Sequence, residues 1–121
     1  MVKKNTKTNP NLIQIIRDLK DKSHSEDVAI WMTVARKLER STRRQGEVNI
    51  SKINRYSKDG DTVLIPGKVL SNGILEHKVD VVGLKFSEVA REKIETAGGK
   101  CLSILEIVEQ NPKGSNIIIL E

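Results

Sequence analysis

"VDVVGL" (residues 79–84) has apolar side chains at four of its six positions, so its apolar character is nearly continuous. A strand that exposes one face alternates apolar and polar residues, whereas a strand covered on both faces is apolar almost throughout. The stretch therefore predicts a β-strand that is buried on both of its faces.

Strand and helix signals alternate on both sides of this stretch. Before it, "TVLIPGKVL" (62–70) predicts a β-branched strand, a Pro-Gly turn and a second strand, and "SNG" (71–73) predicts a hairpin-type turn. After it, Ser87 is expected to cap a helix that ends at Gly98-Gly99. The apolar face of that helix is predicted to consist of Val89, Ala90, Ile94 and Ala97.

A second helix start is encoded in "SILE" (103–106), which matches the capping box. In this motif the Ser and Glu side chains each bind a free N–H group at the beginning of the helix. Leu102 and Ile107 occupy the positions of the accompanying hydrophobic staple. We expect a short helix that ends near Asn111, followed by a last strand over residues 117–120.

The first half of the chain carries helix signals. Asn9-Pro10 supplies a capping residue and a first-turn proline, and the apolar spacing that follows predicts a helix over residues 10–22. "SED" (25–27) is expected to open a second helix, because acidic residues are favourable near a helix N-terminus. "VNISKINRYS" (48–57) predicts a further short helix. The apolar face of the second helix is predicted to comprise Val28, Trp31, Met32, Ala35 and Leu38.

The length of 121 residues suffices for one modest domain. We expect residues 1–8 to form a basic tail and residues 9–121 to form a single globular domain. Within that domain, residues 9–60 should form a basic helical part and residues 61–121 an α/β part. The predicted fold class is therefore α/β, with N-terminal helices followed by short strands and helices.

The charges are divided unevenly along the chain. Residues 1–60 carry 14 Lys/Arg against 7 Asp/Glu, whereas residues 61–121 carry 7 against 9. The formal net charge of +5 therefore combines a strongly basic half with a mildly acidic half. Such an asymmetry is typical of a protein that binds a polyanion in one orientation.

Positive charge is densest around "ERSTRRQGEVN" (39–49), where arginine dominates, and the planar guanidinium group suits bidentate contact with phosphate. Only 2% of the residues are aromatic, so base stacking is disfavoured, and Tyr56 is the one residue expected to stack. We expect recognition of the backbone and shape of folded RNA. The residues expected to contact RNA are Lys3, Lys4 and Lys7 in the tail, and Arg36, Lys37, Arg40, Arg43, Arg44, Asn49, Lys52 and Arg55.

Other chemistries have little support in the sequence. "PGKVLSNG" (66–73) lacks the Ser or Thr that follows Gly-Lys in a phosphate-binding loop. His24 and His77 are expected to be solvated surface residues and not metal ligands, and the single Cys101 is expected to be a small core residue. We therefore predict no catalytic site, no cofactor, no metal and no small-molecule substrate.

The sequence also bears on location. No apolar run approaches the roughly 20 residues needed to span a bilayer, and the first ten residues do not resemble a signal peptide. The single cysteine fits a reducing compartment. We expect a soluble cytoplasmic protein with no membrane partner.

Two alternatives to RNA binding remain open. A free-standing DNA-binding regulator would use the helices around residues 36–55 as a helix-turn-helix, although the loop between them is long and charged for a tight turn. An enzyme that uses the α/β half would require a pocket with converging polar groups.

Several blocks of the chain, in order, resemble archaeal large-subunit ribosomal protein eighteen-e, a family shared with eukaryotes. Bacterial large-subunit protein fifteen is a more distant cousin of that family. The resemblance runs from about Thr8 to Leu120. The blocks that carry it are "TNPNLIQIIRDLK", "IWMTVARKLE", "RRQGEVNISKINRY", "TVLIPGKVLSNGIL" and "FSEVAREKIETAGGKCLSILEIVEQNPKGSNIIIL".

The resemblance implies a structural protein of the cytoplasmic ribosome that binds large-subunit ribosomal RNA, contacts neighbouring ribosomal proteins and has no catalytic activity. It implies an irregular β-β-α arrangement after the N-terminal helices. It also implies RNA contacts at Arg43, Arg44 and Asn49, and at Lys68 beside Gly67. The long Gly/Arg-rich N-terminal extension of the bacterial cousin is missing, and the short length suits an archaeal member.

Overall fold

A computed structural model describes residues 10–40 and 46–121, and it confirms the predicted α/β fold with N-terminal helices ahead of strands and further helices. The helices are α1 (Pro10–Glu26), α2 (Ile30–Arg40), α3 (Ile50–Tyr56), α4 (Glu88–Thr96) and α5 (Ile104–Gln110). The strands are β1 (Gly46–Asn49), β2 (Asp61–Leu70), β3 (Val79–Phe86), β4 (Cys101–Leu102) and β5 (Ile117–Ile119).

The strands pair in parallel, and β2 is at the centre of the sheet. The order is β1-β2-β3-β4, and β5 also pairs with β2. β5 lies alongside residues 62–64 of β2, whereas β1 lies alongside residues 67–70. Since β3 occupies the other side of β2, β5 and β1 together form one edge of the sheet, which we call the β5/β1 edge.

Pro66-Gly67 is not the turn that the sequence predicts, because β2 runs without a break through residues 61–70. The pairing with β3 shifts register between Ile65 and Lys68, so the dipeptide forms an irregularity within a single strand. On the other side of β2, the dipeptide lies near the point where β5 ends and β1 begins. The strand tolerates proline here because the ladder is already interrupted.

The connection between β2 and β3, residues 71–78, is not a hairpin, because the two strands are parallel. This crossover segment packs beside α3. The N–H group of Ser51 donates to the carbonyl of Asn72 (2.9 Å), and the side-chain amide of Asn54 exchanges two hydrogen bonds with Glu76. These bonds let an irregular segment take the place of the helix that usually links parallel strands.

Gly73 determines how closely the crossover segment approaches α3. Its φ is +112°, a value that L side chains rarely adopt, and a Cβ atom there would lie 2.5 Å from the Cβ atom of Ser51. Lys93 of α4 fixes the crossover segment at the same point, because its ammonium group donates to the carbonyls of Ser71 (2.7 Å) and Gly73 (2.6 Å). The glycine therefore serves close packing, and the predicted hairpin turn was wrong.

Both faces of the sheet are covered, as the apolar stretch at residues 79–84 predicts. On one face, α1, α2 and α5 pack against Leu64 and Val82. On the other face, α3 and α4 pack against Val63 and Val81. Val81 and Val82 are both fully buried although they belong to opposite faces, which confirms the two-sided burial of β3.

The boundary between the first two helices differs from the prediction. α1 extends through Ser25 and Glu26, where the start of the second helix was expected, and α2 begins at Ile30 instead. Asp27 has a φ of 53°, and the N–H groups of Asp27 and Val28 donate to carbonyls in the last turn of α1. This pattern ends a helix, so the acidic residues do not open the next one.

Two further expectations were wrong. β1 takes up the end of the expected loop and the first two residues of the helix predicted over 48–57, because it is stabilised by pairing with distant β2, which no local pattern reveals. Val89 is 48% exposed and does not belong to the buried face of α4, which is formed by Ala90 and Ile94.

The predicted caps of α4 and α5 are confirmed, whereas the predicted N-cap Asn9 lies outside the described residues. The Ser87 hydroxyl accepts the N–H of Ala90 at the start of α4. At its end, the N–H groups of Gly98 and Gly99 donate to carbonyls of the last turn. Both bonds of the capping box at Ser103 are present.

Trp31 is fully buried, and its indole N–H donates to the carbonyl of Pro112 (2.6 Å). We expect Trp31→Ala to lower the free energy of unfolding by about 3–5 kcal/mol through lost packing. Trp31→Phe keeps most of the apolar volume and should cost about 1–3 kcal/mol, because a partly buried carbonyl loses its donor. Urea unfolding measures both variants, and a cost near zero for Trp31→Ala would contradict the buried position.

Ser103→Ala should lower the free energy of unfolding by about 0.5–2 kcal/mol, because the N–H of Glu106 loses its acceptor (3.1 Å). The matched control is Ser115→Ala. Ser115 is exposed, and its hydroxyl makes no hydrogen bond to the described residues, so the change should stay within about 0.5 kcal/mol. Equal losses in the two variants, measured by urea unfolding, would refute the capping role.

Candidate nucleic-acid interface

Lysines from two helices meet at the β5/β1 edge. The ammonium group of Lys37 on α2 forms an ion pair with the carboxylate of Glu121 (2.8 Å). The ammonium group of Lys52 on α3 donates to the main-chain oxygen of the same residue. Glu121 follows β5, and the N–H of Leu120 continues the pairing with β2 by donating to the carbonyl of Leu64 (3.0 Å). Two lysines that are distant in the sequence therefore surround one residue at the edge of the sheet.

α2 and α3 approach this edge from opposite faces of the sheet. Val34 of α2 belongs to the core on one face, Ile53 of α3 belongs to the core on the other, and β1 separates the two helices along the chain. A helix-turn-helix joins two successive helices through a turn of about three or four residues. The structure therefore contradicts a helix-turn-helix over residues 36–55.

Three arginines that were predicted to contact RNA occupy further positions on the same two helices. Arg36 is exposed on α2 beside Lys37, and Arg55 is exposed on α3, three positions after Lys52. Arg40 is the last residue of α2. We call the five positions the basic edge: Arg36, Lys37, Arg40, Lys52 and Arg55.

Glu39 is the only acidic residue in "RKLERSTRR" (36–44). Its carboxylate pairs with the ammonium group of Lys20 on α1 (2.7 Å), so its charge is directed towards α1. Both side chains of this pair are exposed, and such pairs contribute little to stability. Their effect here is electrostatic, because Lys20 neutralises the one negative charge within the basic stretch.

Two other predicted contacts have different surroundings. The side-chain oxygen of Asn49 accepts the N–H of Asn72 (3.1 Å), so Asn49 helps to hold the crossover segment. Lys68 is half-buried in β2, in register with Glu47 of β1 and Lys85 of β3. Within residues 10–40 and 46–121, no hydrogen bond or ion pair joins the Lys68 side chain to the basic edge.

The remaining predicted contacts cannot be located, because they lie outside the described residues. The chain leaves the described part after Arg40, at the end of α2, and re-enters it at Gly46, at the start of β1. Both of these elements border the β5/β1 edge. The predicted contacts outside the described residues are Lys3, Lys4, Lys7, Arg43 and Arg44.

The sequence alone does not indicate the positions of Glu121 and Lys20. Glu121 lies 69 positions from Lys52, and it reaches the lysines only because β5 adds to the edge of β2. Lys20 reaches Glu39 because α1 packs against α2. No spacing rule indicates such contacts, since both depend on the tertiary fold.

Two comparisons with known proteins, one with protein families and one with individual proteins, point to the same family. The family described as "Ribosomal protein 60S L18 and 50S L18e" matches residues 2–121. The chain is 60% identical to "Large ribosomal subunit protein eL18" of Methanothermobacter thermautotrophicus over 121 residues, which covers all of both proteins. Identity to the proteins of the same name is 48% in Methanospirillum hungatei and 47% in Methanococcus maripaludis, with 99% and 98% of this chain covered and 99% of each relative.

Ser57 and His77 are hydrogen-bonded to each other, but the two residues do not form a catalytic pair. Ser57 Oγ lies 2.9 Å from His77 Nε2, and the Ser57 hydroxyl also donates to the carbonyl of Ile53. Because the hydroxyl proton is used there, the imidazole must donate to Ser57 Oγ and does not accept its proton. His77 is half-buried and bonded, contrary to the prediction of a solvated histidine, whereas His24 is exposed as predicted.

No group of three or more His, Cys, Asp or Glu residues in the described part of the chain is placed to hold a metal ion. The helices at residues 10–40 and 46–121 include none that is long and apolar enough to cross a membrane.

Cys101 lies partly buried in β4 and packs against the core on the α4 face of the sheet. Burial raises the pKa of the Cys101 thiol, while Arg91 opposes this shift and Glu95 adds to it. The thiol is therefore protonated and weakly nucleophilic at neutral pH, which agrees with a packing role.

We expect iodoacetamide to alkylate Cys101 more slowly in the folded protein than in urea, because the reaction requires the thiolate. The pKa of the Cys101 thiol is higher in the folded protein than in the unfolded chain. The protonated thiol therefore favours folding below the unfolded pKa, and this contribution is lost as the pH rises through the folded pKa. Mass spectrometry between about pH 7 and 10 measures the rates. If the pH midpoint of the alkylation rate is no higher in the folded protein than in the unfolded chain, the effect of burial is contradicted.

Proposed function

Because the chain belongs to the family of large-subunit ribosomal proteins L18 and L18e, we propose that it binds large-subunit ribosomal RNA through the basic edge. Its role is structural, in the cytoplasmic ribosome. The proposal includes contacts with neighbouring ribosomal proteins and excludes a catalytic step, a cofactor and a small-molecule substrate.

The convergence of Lys37 and Lys52 at the β5/β1 edge is the observation that carries this proposal. Cations from the two faces of the sheet meet at one place, and Arg36 and Arg55 extend them along α2 and α3. A-form RNA is recognised largely through its phosphates, its 2′-hydroxyl groups and its shape. A row of Lys and Arg side chains with few aromatic residues suits this mode of recognition.

The opposite side of the molecule has the opposite charge. Residues 88–110 form α4, β4 and α5, and they carry three Lys/Arg against five Asp/Glu. Their net charge of −2 repels phosphate, whereas the basic edge attracts it. The protein is therefore electrostatically oriented, and RNA approaches it from the side of β5 and β1.

The predicted contacts outside the basic edge complete the proposed interface. Lys3, Lys4, Lys7, Arg43, Arg44, Asn49 and Lys68 would add phosphate or sugar contacts around it. Tyr56, at the end of α3, is 53% exposed and can stack on one unpaired base. We also propose that residues 9–121 act as one domain, because β1 of the basic part pairs with β2 of the α/β part.

A matched pair of double variants tests the interface. Arg36→Gln with Arg55→Gln removes two exposed cations of the basic edge. Lys78→Gln with Lys100→Gln removes two exposed cations that precede β3 and β4. Both should remain folded, since exposed charges contribute little to stability, and circular dichroism checks this.

The measurement is the affinity for transcribed archaeal large-subunit ribosomal RNA at several salt concentrations. If Arg36 and Arg55 each neutralise a phosphate, their loss should reduce the slope of log K against log salt by about 0.7–0.9 per contact. The control should lower the affinity slightly and leave the slope nearly unchanged. Equal loss of slope in both variants would show diffuse attraction, and a wild-type protein that does not bind this RNA would refute the proposed function.

A further inference from the structure

We propose that Lys37 binds a phosphate group of the RNA, and that the Glu121 carboxylate occupies the place of this phosphate in the free protein. The inference rests on the proposed RNA-binding function. It adds a defined ligand group to that function, and it identifies a side chain of the protein that competes with the RNA.

Glu121 places its carboxylate beside Lys37 and its main-chain oxygen beside Lys52. Lys37 reaches the carboxylate of Glu121 from α2, and Lys52 reaches the main-chain oxygen of the same residue from α3. The distance of 2.8 Å between Lys37 Nζ and Glu121 Oε2 falls in the range of charge-assisted hydrogen bonds, which ammonium groups form with carboxylate and phosphate oxygens alike. A phosphate oxygen can therefore replace the carboxylate oxygen while Lys37 keeps its position.

The two members of the ion pair differ in exposure. The side chain of Lys37 is 23% exposed, whereas that of Glu121 is 50% exposed. Lys37 lies on α2, whose neighbouring Leu38 is fully buried, so the stem of the lysine starts from a fixed backbone. Glu121 follows the short strand β5, and its half-exposed side chain has solvent into which to turn. In the proposed exchange the glutamate leaves and the lysine stays.

The energetics favour this exchange for RNA and disfavour it for small anions. An exposed ion pair contributes only about two- to five-fold to an equilibrium constant, so its loss is a small barrier. RNA presents many phosphates and releases bound counterions at each contact. The free energy gained in this way exceeds the small cost of breaking the ion pair. A single phosphate ion has one contact only. Glu121 therefore makes the position selective for a polyanion.

A double-mutant cycle between Glu121→Gln and Lys37→Gln tests the competition, with transcribed archaeal large-subunit ribosomal RNA as the probe. Glu121→Gln should strengthen binding by about two- to five-fold when Lys37 is present, because the lysine is released for phosphate. In the Lys37→Gln background the same change should have almost no effect. Glu92→Gln, an exposed carboxylate on α4, is the control for charge alone and should give a smaller gain that is equal in both backgrounds.

Glu121→Asp provides a second test, because it keeps the negative charge and draws the carboxylate back from Lys37. It should also strengthen RNA binding, which a simple charge effect does not produce. Equal gains from Glu121→Gln in both backgrounds, or no gain from either Glu121 variant, would overturn this inference while RNA binding itself stands. Absence of binding by the wild-type protein would instead refute the proposed function.

Discussion

The parallel pairing of β2 with its neighbours is the constraint on which the rest of the structure depends. Every connection between parallel strands must return from the carboxyl end of one strand to the amino end of the next. α3, the crossover segment, α4 and α5 lie in these connections, and α3 and α4 cover one face of the sheet. α1, α2 and α5 cover the other face. As a result α2 and α3, which carry Lys37 and Lys52, border the same edge from opposite faces.

Elements with a local chemical signal could be predicted from the sequence, and elements determined by distant contacts could not. The capping box at Ser103 and the continuous apolar strand at residues 79–84 were of the first kind. The ends of α1 and α4 show the difference, because both use the same left-handed turn. Gly98 made the end of α4 predictable, whereas Asp27, an acidic residue of the type favoured in the first turn of a helix, indicated a helix start where α1 in fact ends.

The candidate site could be predicted in composition but not in arrangement. The sequence located the positive charge between residues 36 and 55, and it identified Lys37 and Lys52 as separate contacts. It did not indicate that these two lysines share Glu121, because that contact requires β5 to join the edge of β2. It also assigned Asn49 to RNA, although its side-chain oxygen holds Asn72 in the crossover segment.

The position of the cations also answers a structural need. An open sheet edge presents unpaired N–H and C=O groups and can pair with another chain, and natural proteins protect such edges with short strands and lysine side chains. The β5/β1 edge consists of strands of three and four residues and is flanked by Lys37 and Lys52. These features oppose pairing with a strand, but they do not oppose a polyanion, because phosphate oxygens can accept hydrogen bonds from lysine side chains. The edge that must be protected against other proteins is therefore suited to receive RNA.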